Sequence, residues 1–180
     1  KENLYRLLNS GGPDGEIGAS MRYLSQRFTA PNRVCMAVLT DVATEELGHL
    51  EMVSTIVHQL TANLTVEEIE NQGFADYYVD HAVGIWPQSA GGIPFNSCEF
   101  QSKGDPITDM FESMAAEQKA RSTYDNILRV VRDIPEIADP IRFLRAREVV
   151  HFQRFGEALQ SLQDQLNSKN FYQMNPSFDI

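Results

Sequence analysis

Two copies of Glu-x-x-His, each lodged inside an apolar helical stripe, limit this chain more than any other feature. One long periodic segment presents Cys35, Val38, Val42, Glu46, His49, Val53, Ile56 and Leu60 along a single seam. The steps alternate between three and four, the spacing of a buried helix face. Glu46 and His49 stand in the middle of that seam. A later segment repeats the pattern with Ile141, Leu144, Glu148, His151, Phe155, Leu159 and Leu162. Any fold must therefore place acids and imidazoles among apolar side chains. Burying an unpaired carboxylate costs on the order of several kcal/mol, so the acids need a common partner.

Helical periodicity marks four long segments. The first runs from about Asp14 to Phe28 and stops at "TAPN". The second opens near Pro31 and continues to about Leu60. The third is capped by Asp105, opens with Pro106 and continues to about Asp133. The fourth uses the same device with Asp139 and Pro140 and runs to about Leu166. The short connection around Pro135 makes the last two helices antiparallel neighbours. Between the second and third lies Thr61 to Gly104, with one short amphipathic piece capped by Thr65 and stopped by Gly73. A long crossover at that place is what a ferritin-like four-helix bundle requires. The expected fold is thus all-α, with residues 1–166 forming the bundle and 167–180 an irregular tail. In that tail Phe171, Tyr172 and Phe178 either dangle or dock on a neighbour.

The third helix reads Ile107, Met110, Met114, Glu117, Arg121, Tyr124 and Leu128 along its seam. On the first, Glu16 borders the apolar face, with Tyr23 two turns further along. Glu16 precedes Glu46 by almost the interval that separates Glu117 from Glu148. Each half is a helix pair carrying one Glu, then Glu-x-x-His. This constellation belongs to the di-iron and di-manganese proteins of ferritin-like fold. Two divalent ions would neutralise the set; Arg121 alone would not. Carboxylates and imidazoles without a nearby thiolate suit manganese or iron.

Other polar residues have plainer readings. Glu45 and Glu51 fall off the seam and read as solvated. His58 and His81 read as surface or loop residues, and Asp41 as a helix-surface charge. Arg121 reads as a counter-charge beside the cluster or an exposed end. Trp86 and the glycines near it read as packing or subunit-contact residues. Tyr23, if buried, needs a partner for its hydroxyl, and a metal-binding carboxylate is a suitable one.

A net charge of −10 argues against nucleic acid and anionic membrane surfaces as partners. No apolar run reaches the about 20 residues of a membrane span, and no signal-peptide pattern opens the chain. Cys35 and Cys98 read as free thiols of a reducing compartment, which places the protein in the cytoplasm. The chain opens at Lys1 without a methionine, which leaves room for native residues ahead of it.

The stretches "GGPDGEIGASMRYLSQRF", "TDVATEELGHLEMVSTIV", "AAEQKARSTY" and "RFLRAREVVHFQRF" resemble the manganese (non-haem) catalase family. Together with "YYVDH", "GGIPF" and "SKGDPITDMFESMAAEQKAR", they resemble above all its short spore-coat (CotJC-type) branch. The resemblance spans Gly12 to about Leu162. It implies a pair of manganese ions. Glu16 and His49 would bind the first, Glu46 would bridge both, and Glu117 and His151 would bind the second. Glu148 would act as acid and base beside them, and Tyr23 would hydrogen-bond near the cluster. The implied reaction is disproportionation of hydrogen peroxide to water and oxygen. A homo-oligomer is implied as well, with the hexamer as one form, and coat proteins as partners if the protein sits in a spore coat. A di-iron oxidase or peroxidase, and a structural coat component that keeps its metal site, are the alternatives. The chain also departs from the larger catalases. They carry Arg-Glu where Ala116 and Glu117 stand here, and an aspartate where Ala37 stands, which argues against their calcium site. Their extended C-terminal region is mostly absent.

Overall fold

The computed structural model describes residues 12, 14–73, 75, 78, 79, 84, 89 and 93–169. Two of the long helices start on a side chain that satisfies a free N–H group, whereas the first starts on Gly15 without one. Helix α1 spans Glu16–Gln26 and runs on into a 3-10 turn, Arg27–Thr29. Helix α2 spans Arg33–Thr61. Its cap is Asn32, whose Oδ1 accepts from the Cys35 N–H at 2.9 Å. Pro31, expected to open this helix, lies just ahead of the cap. Helix α3, Val66–Asn71, begins with the expected Thr65 in a reciprocal box with Glu68. Gly73 follows it at φ 72°, a backbone angle that favours glycine.

Helix α4 spans Pro106–Val131, with Asp105 accepting from the Thr108 N–H at 2.8 Å. Helix α5 spans Pro135–Lys169, so it starts earlier than Asp139 and Pro140 suggest. The Ala138 N–H already donates to the Ile134 carbonyl at 2.8 Å, which closes a helical turn ahead of Pro140. Pro135 supplies the fixed φ of a first-turn residue, and Pro140 removes only a single bond near the helix start.

The long helices pair α1 with α2, α4 with α5, α2 with α5, and α1 with α4. Cross-helix contacts give the directions. Arg27 meets Thr40 and Ser20 meets Ala43, so residue numbers rise on α1 as they fall on α2. Gln165 meets Asn32 and Arg147 meets Glu45, which makes α2 and α5 antiparallel. Arg145 meets Asp125 across α4 and α5, and Gln26 meets Ser113 across α1 and α4. Every neighbouring pair is antiparallel, so α2 and α4 lie diagonally and point the same way. The end of α2 and the start of α4 therefore lie at opposite ends of the bundle, about 40 Å apart for the 29 residues of α2. This is the ferritin-like four-helix topology. Trp86, His81, Gly91, Gly92 and residues 170–180, including the tail aromatics, lie outside the described residues.

Two apolar clusters fill the bundle. One contains Val53, Ile56, Tyr124, Ile127, Val131, Ile141 and Leu144. The other contains Ala19, Tyr23, Leu39, Val42, Met110, Phe155 and Leu159. On α2 the stripe is broader than the seam suggests: Leu39 and Ala43 are fully buried, whereas Val38 and Leu60 are half-buried. Between the two clusters lies a polar layer. Among the described residues, no helix is long and apolar enough to cross a membrane.

Candidate metal centre

The polar layer consists of Glu16 from α1, Glu46 and His49 from α2, Glu117 from α4, and Glu148 and His151 from α5. All six are buried, with at most 4% of any of them exposed. Helical spacing of three residues puts both side chains of each Glu-x-x-His on one face. The six residues singled out by the sequence thus meet at one level.

Their geometry is directional. Glu46 Oε2 lies 2.9 Å from His49 Nδ1, and Glu46 Oε1 lies 2.7 Å from His151 Nδ1. Glu148 Oε1 is 3.5 Å from His49 Nδ1, and Glu117 Oε2 is 3.4 Å from His151 Nδ1. The two rings stack, with centroids 5.3 Å apart and planes 18° apart. Glu46, His49, Glu148 and His151 each offer a ligand atom within 4.8 Å of the others.

These atoms crowd together without satisfying one another. Glu46 Oε1, Glu117 Oε2, Glu148 Oε1 and His151 Nδ1 have no aligned hydrogen-bond partner although all are buried. Buried polar atoms are normally paired. Lone pairs that converge on shared space and miss each other in angle fit cations held between them.

The electrostatics agree. Burial pushes Glu148 up to about 11, against a contact with His49, and the charges of Glu46, Glu117 and Glu16 add to the rise. Burial likewise raises Glu16 and Glu117, assisted in both cases by the negative charge of Glu46. Burial also opposes ionisation of Glu46, yet contacts with His151 and His49 outweigh it and hold that carboxyl at about 2. Burial favours neutral histidines, but Glu148 and Glu46 bring His49 to about 9, and Glu117 and Glu46 bring His151 to about 10. The layer carries more carboxylates than its histidines can neutralise.

Tyrosines brace two of the acids. The Tyr23 hydroxyl donates to Glu117 Oε1, and the Tyr124 hydroxyl donates to Glu16 Oε1. The same spacing, Glu16 to Tyr23 and Glu117 to Tyr124, recurs on α1 and α4. That repeat was present in the sequence, yet Tyr124 stood there only as a seam residue. Arg22, fully buried on α1 and 3.5 Å from Asp14 Oδ1, is a second residue the pattern did not single out.

Several plainer readings hold, and one changes. His58 and Glu51 are exposed. Asp41 pairs with Arg154 at 2.6 Å on the surface. Of the two readings of Arg121, the exposed end holds: it is partly exposed and pairs with Asp125 at 2.7 Å. Glu45 is not simply solvated. It is half-buried, accepts from Arg147, and lies 3.2 Å from His151 Nε2 and 3.6 Å from His49 Nε2. A cationic partner on a neighbouring helix draws it inward from the flank of the seam.

Comparison with known proteins accords with this arrangement. Residues 6–171 match the family described as manganese containing catalase. The chain belongs to the manganese catalase family. It is 44% identical to Protein CotJC of Bacillus subtilis, over 93% of this chain and 88% of that protein. It is 30% identical to the "Probable manganese catalase" of Clostridium acetobutylicum, over 89% of this chain and 71% of that one. The crystal structure of KatB, a manganese catalase from Anabaena, superposes with a TM-score of 0.80 at 30% identity. It covers 89% of this chain and 73% of that one. The chain thus shares its helical bundle with a manganese catalase of solved structure, and its buried layer contains four residues, Glu46, His49, Glu148 and His151, that could hold a metal ion.

Proposed function

We propose that this protein is a dimanganese catalase that disproportionates hydrogen peroxide to water and oxygen. The observation that carries the reading is the division of Glu46, with one oxygen turned to His49 and the other to His151. A carboxylate so divided is suited to bridge two ions. Glu16 and His49 would complete one position, and Glu117 and His151 the other. A bound manganese pair would supply the capacity to take up and return two electrons.

The chain's own residues handle protons. Reducing one peroxide consumes two electrons and two protons to give two waters; oxidising a second releases two electrons and two protons with the oxygen molecule. Protons must be stored between the two halves. Glu148, buried in the layer with Oε1 3.5 Å from His49 Nδ1, would do this, its proton affinity lowered by the bound cations. Tyr23 and Tyr124 hold Glu117 and Glu16 in place, which fixes the negative charge facing the ions. The apolar clusters above and below keep bulk water from the layer.

No thiolate joins the donor set: Cys35 is buried among apolar residues and Cys98 is exposed. Oxygen and imidazole donors admit iron as well as manganese, so an oxidase or peroxidase using two irons shares this geometry. A second reading is favoured by the 44% identity to Protein CotJC: a homo-oligomeric component of a spore coat, associated with other coat proteins and retaining the metal site. A cytoplasmic enzyme and an active coat component would use the same centre.

One experiment separates these readings. The protein is produced in manganese- and in iron-supplemented medium, metals are counted, and oxygen release from peroxide is followed. Two manganese ions per chain with oxygen evolution is the expected result. Preferential iron loading with oxygen consumption would favour the di-iron enzyme. Manganese bound without turnover would favour the coat component, and no metal at all would end the catalase reading.

A further inference from the structure

Glu45 faces the two histidines from the side opposite Glu46. His49 and His151 come from different helices, yet their rings lie nearly parallel and both turn Nδ1 towards Glu46. Their Nε2 atoms therefore emerge on a common side. The Glu45 carboxylate is there at ion-pair range, with Oε1 3.6 Å from His49 Nε2 and Oε2 3.2 Å from His151 Nε2, and neither Nε2 makes an aligned hydrogen bond to any group. It is fixed in turn by Arg147, whose Nε and Nη2 both donate to it. Glu45 thus spans α2 and α5 as Glu46 does.

Which imidazole nitrogen is free for a metal is decided by what the other nitrogen does. A carboxylate at Nε2 favours a hydrogen there and leaves the Nδ1 lone pair to the ion. It also fixes the ring's rotation and raises its basicity. We propose that Glu45 is a positioning residue shared by both histidines, setting the tautomer and orientation of His49 and His151 together, with Arg147 locking it in place. This rests on the two-metal reading above. It concerns a residue whose place in the helical pattern gives it no role.

The Arg147 clamp explains why one carboxylate serves two rings. A free glutamate would swing to whichever imidazole was nearer or out to water. Two guanidinium donors hold its plane fixed and keep one oxygen for each ring, a geometry a lysine does not supply.

The test has two arms. With zinc bound as a diamagnetic stand-in for manganese, so that neither ring is an imidazolium, ring nitrogen–proton NMR should show a protected, downfield Nε2–H for both His49 and His151. Both signals should be lost in Glu45→Ala, and both should persist in Glu51→Ala, an exposed control on the same helix. In the second arm, manganese affinity is measured by chelator competition. Glu45→Ala should bind about 10–100-fold more weakly, and Glu45→Gln, which keeps an acceptor oxygen, should lose less. If Glu45→Ala fails to fold by circular dichroism, Glu45→Gln carries both arms. Unchanged signals, or a loss confined to one ring, would overturn the shared role. Protected signals in a wild-type protein that binds no manganese would instead overturn the two-metal reading and leave the positioning role supported by the first arm.

Discussion

Tyr124 on α4 donates its hydroxyl hydrogen to Glu16 on α1. Tyr23 on α1 returns the arrangement by donating to Glu117 on α4. The two bonds cross between the same pair of antiparallel helices and pin the acids that the repeated glutamate pattern supplies. Each bond serves a buried carboxyl that would otherwise lack that donor. Tyr23→Phe and Tyr124→Phe should each destabilise the fold by about 1–3 kcal/mol, the cost of leaving a buried acceptor without its donor. Urea unfolding of the single variants measures this. A loss well below 1 kcal/mol in both would show that these hydroxyls do not brace the acids.

His49 and His151 divide Glu46 between them, so removing either ring should disable one metal position more than the other. His49→Ala and His151→Ala should each retain about one ion per chain, against the two expected for the native protein. Elemental analysis after desalting gives the count. Complete loss in both variants would mean that the two positions form only together, and undiminished loading would remove the histidines from the ligand set.

The bundle and its polar layer were legible because both depend on periodicity along single helices. Glu46, His49, Glu148 and His151 interrupt apolar stripes, and a stripe announces its own burial. The caps Thr65 and Asp105 were equally local. What stayed hidden depends on contacts between distant segments. Glu45 lies off the stripe and becomes part of the site only because Arg147, far along the chain, reaches it from α5. Arg121 lies on its helix's apparent seam, yet Asp125 one turn away gives it a partner at the surface. Pro140 resembled a helix start, and only the bond from Ala138 to Ile134 shows the turn already formed before it.

Acid should stabilise the metal-free protein relative to neutral pH. Burial holds Glu148 at about 11, and Glu16 and Glu117 are raised too, against an unfolded value of 4.5. Groups that bind protons more tightly when folded contribute stability below their unfolded pKa and lose it as pH climbs towards the folded one. Burial lowers the two histidines, but their carboxylate neighbours win and take them from 6.5 to about 9 and 10, so they act in the same direction. Glu46, depressed to about 2, acts the other way, but only as pH falls below 4.5. Stability of the metal-free form should therefore fall between about pH 5 and pH 8, by up to ~1.4 kcal/mol per pH unit for each excess proton. Manganese competes with those protons and should flatten or reverse the slope. A melting temperature of the stripped protein that rises across this range would contradict the charge balance of the layer.

Glu148 decides between two chemistries because it lies within ligand distance of the other donors and yet holds its proton tightly. As a proton store it needs an ionisable carboxyl; as a ligand it needs only an oxygen donor in place. Glu148→Gln keeps the size and one acceptor oxygen but cannot carry the proton. The expected outcome is a protein that still binds two manganese ions while oxygen evolution falls by about 10²–10⁴-fold, the usual contribution of a positioned acid or base. Metal content and turnover measured on the same preparation distinguish the cases. If an ion is lost in proportion to activity, Glu148 is a ligand, and the proton store must be sought among the other raised carboxyls, Glu16 and Glu117.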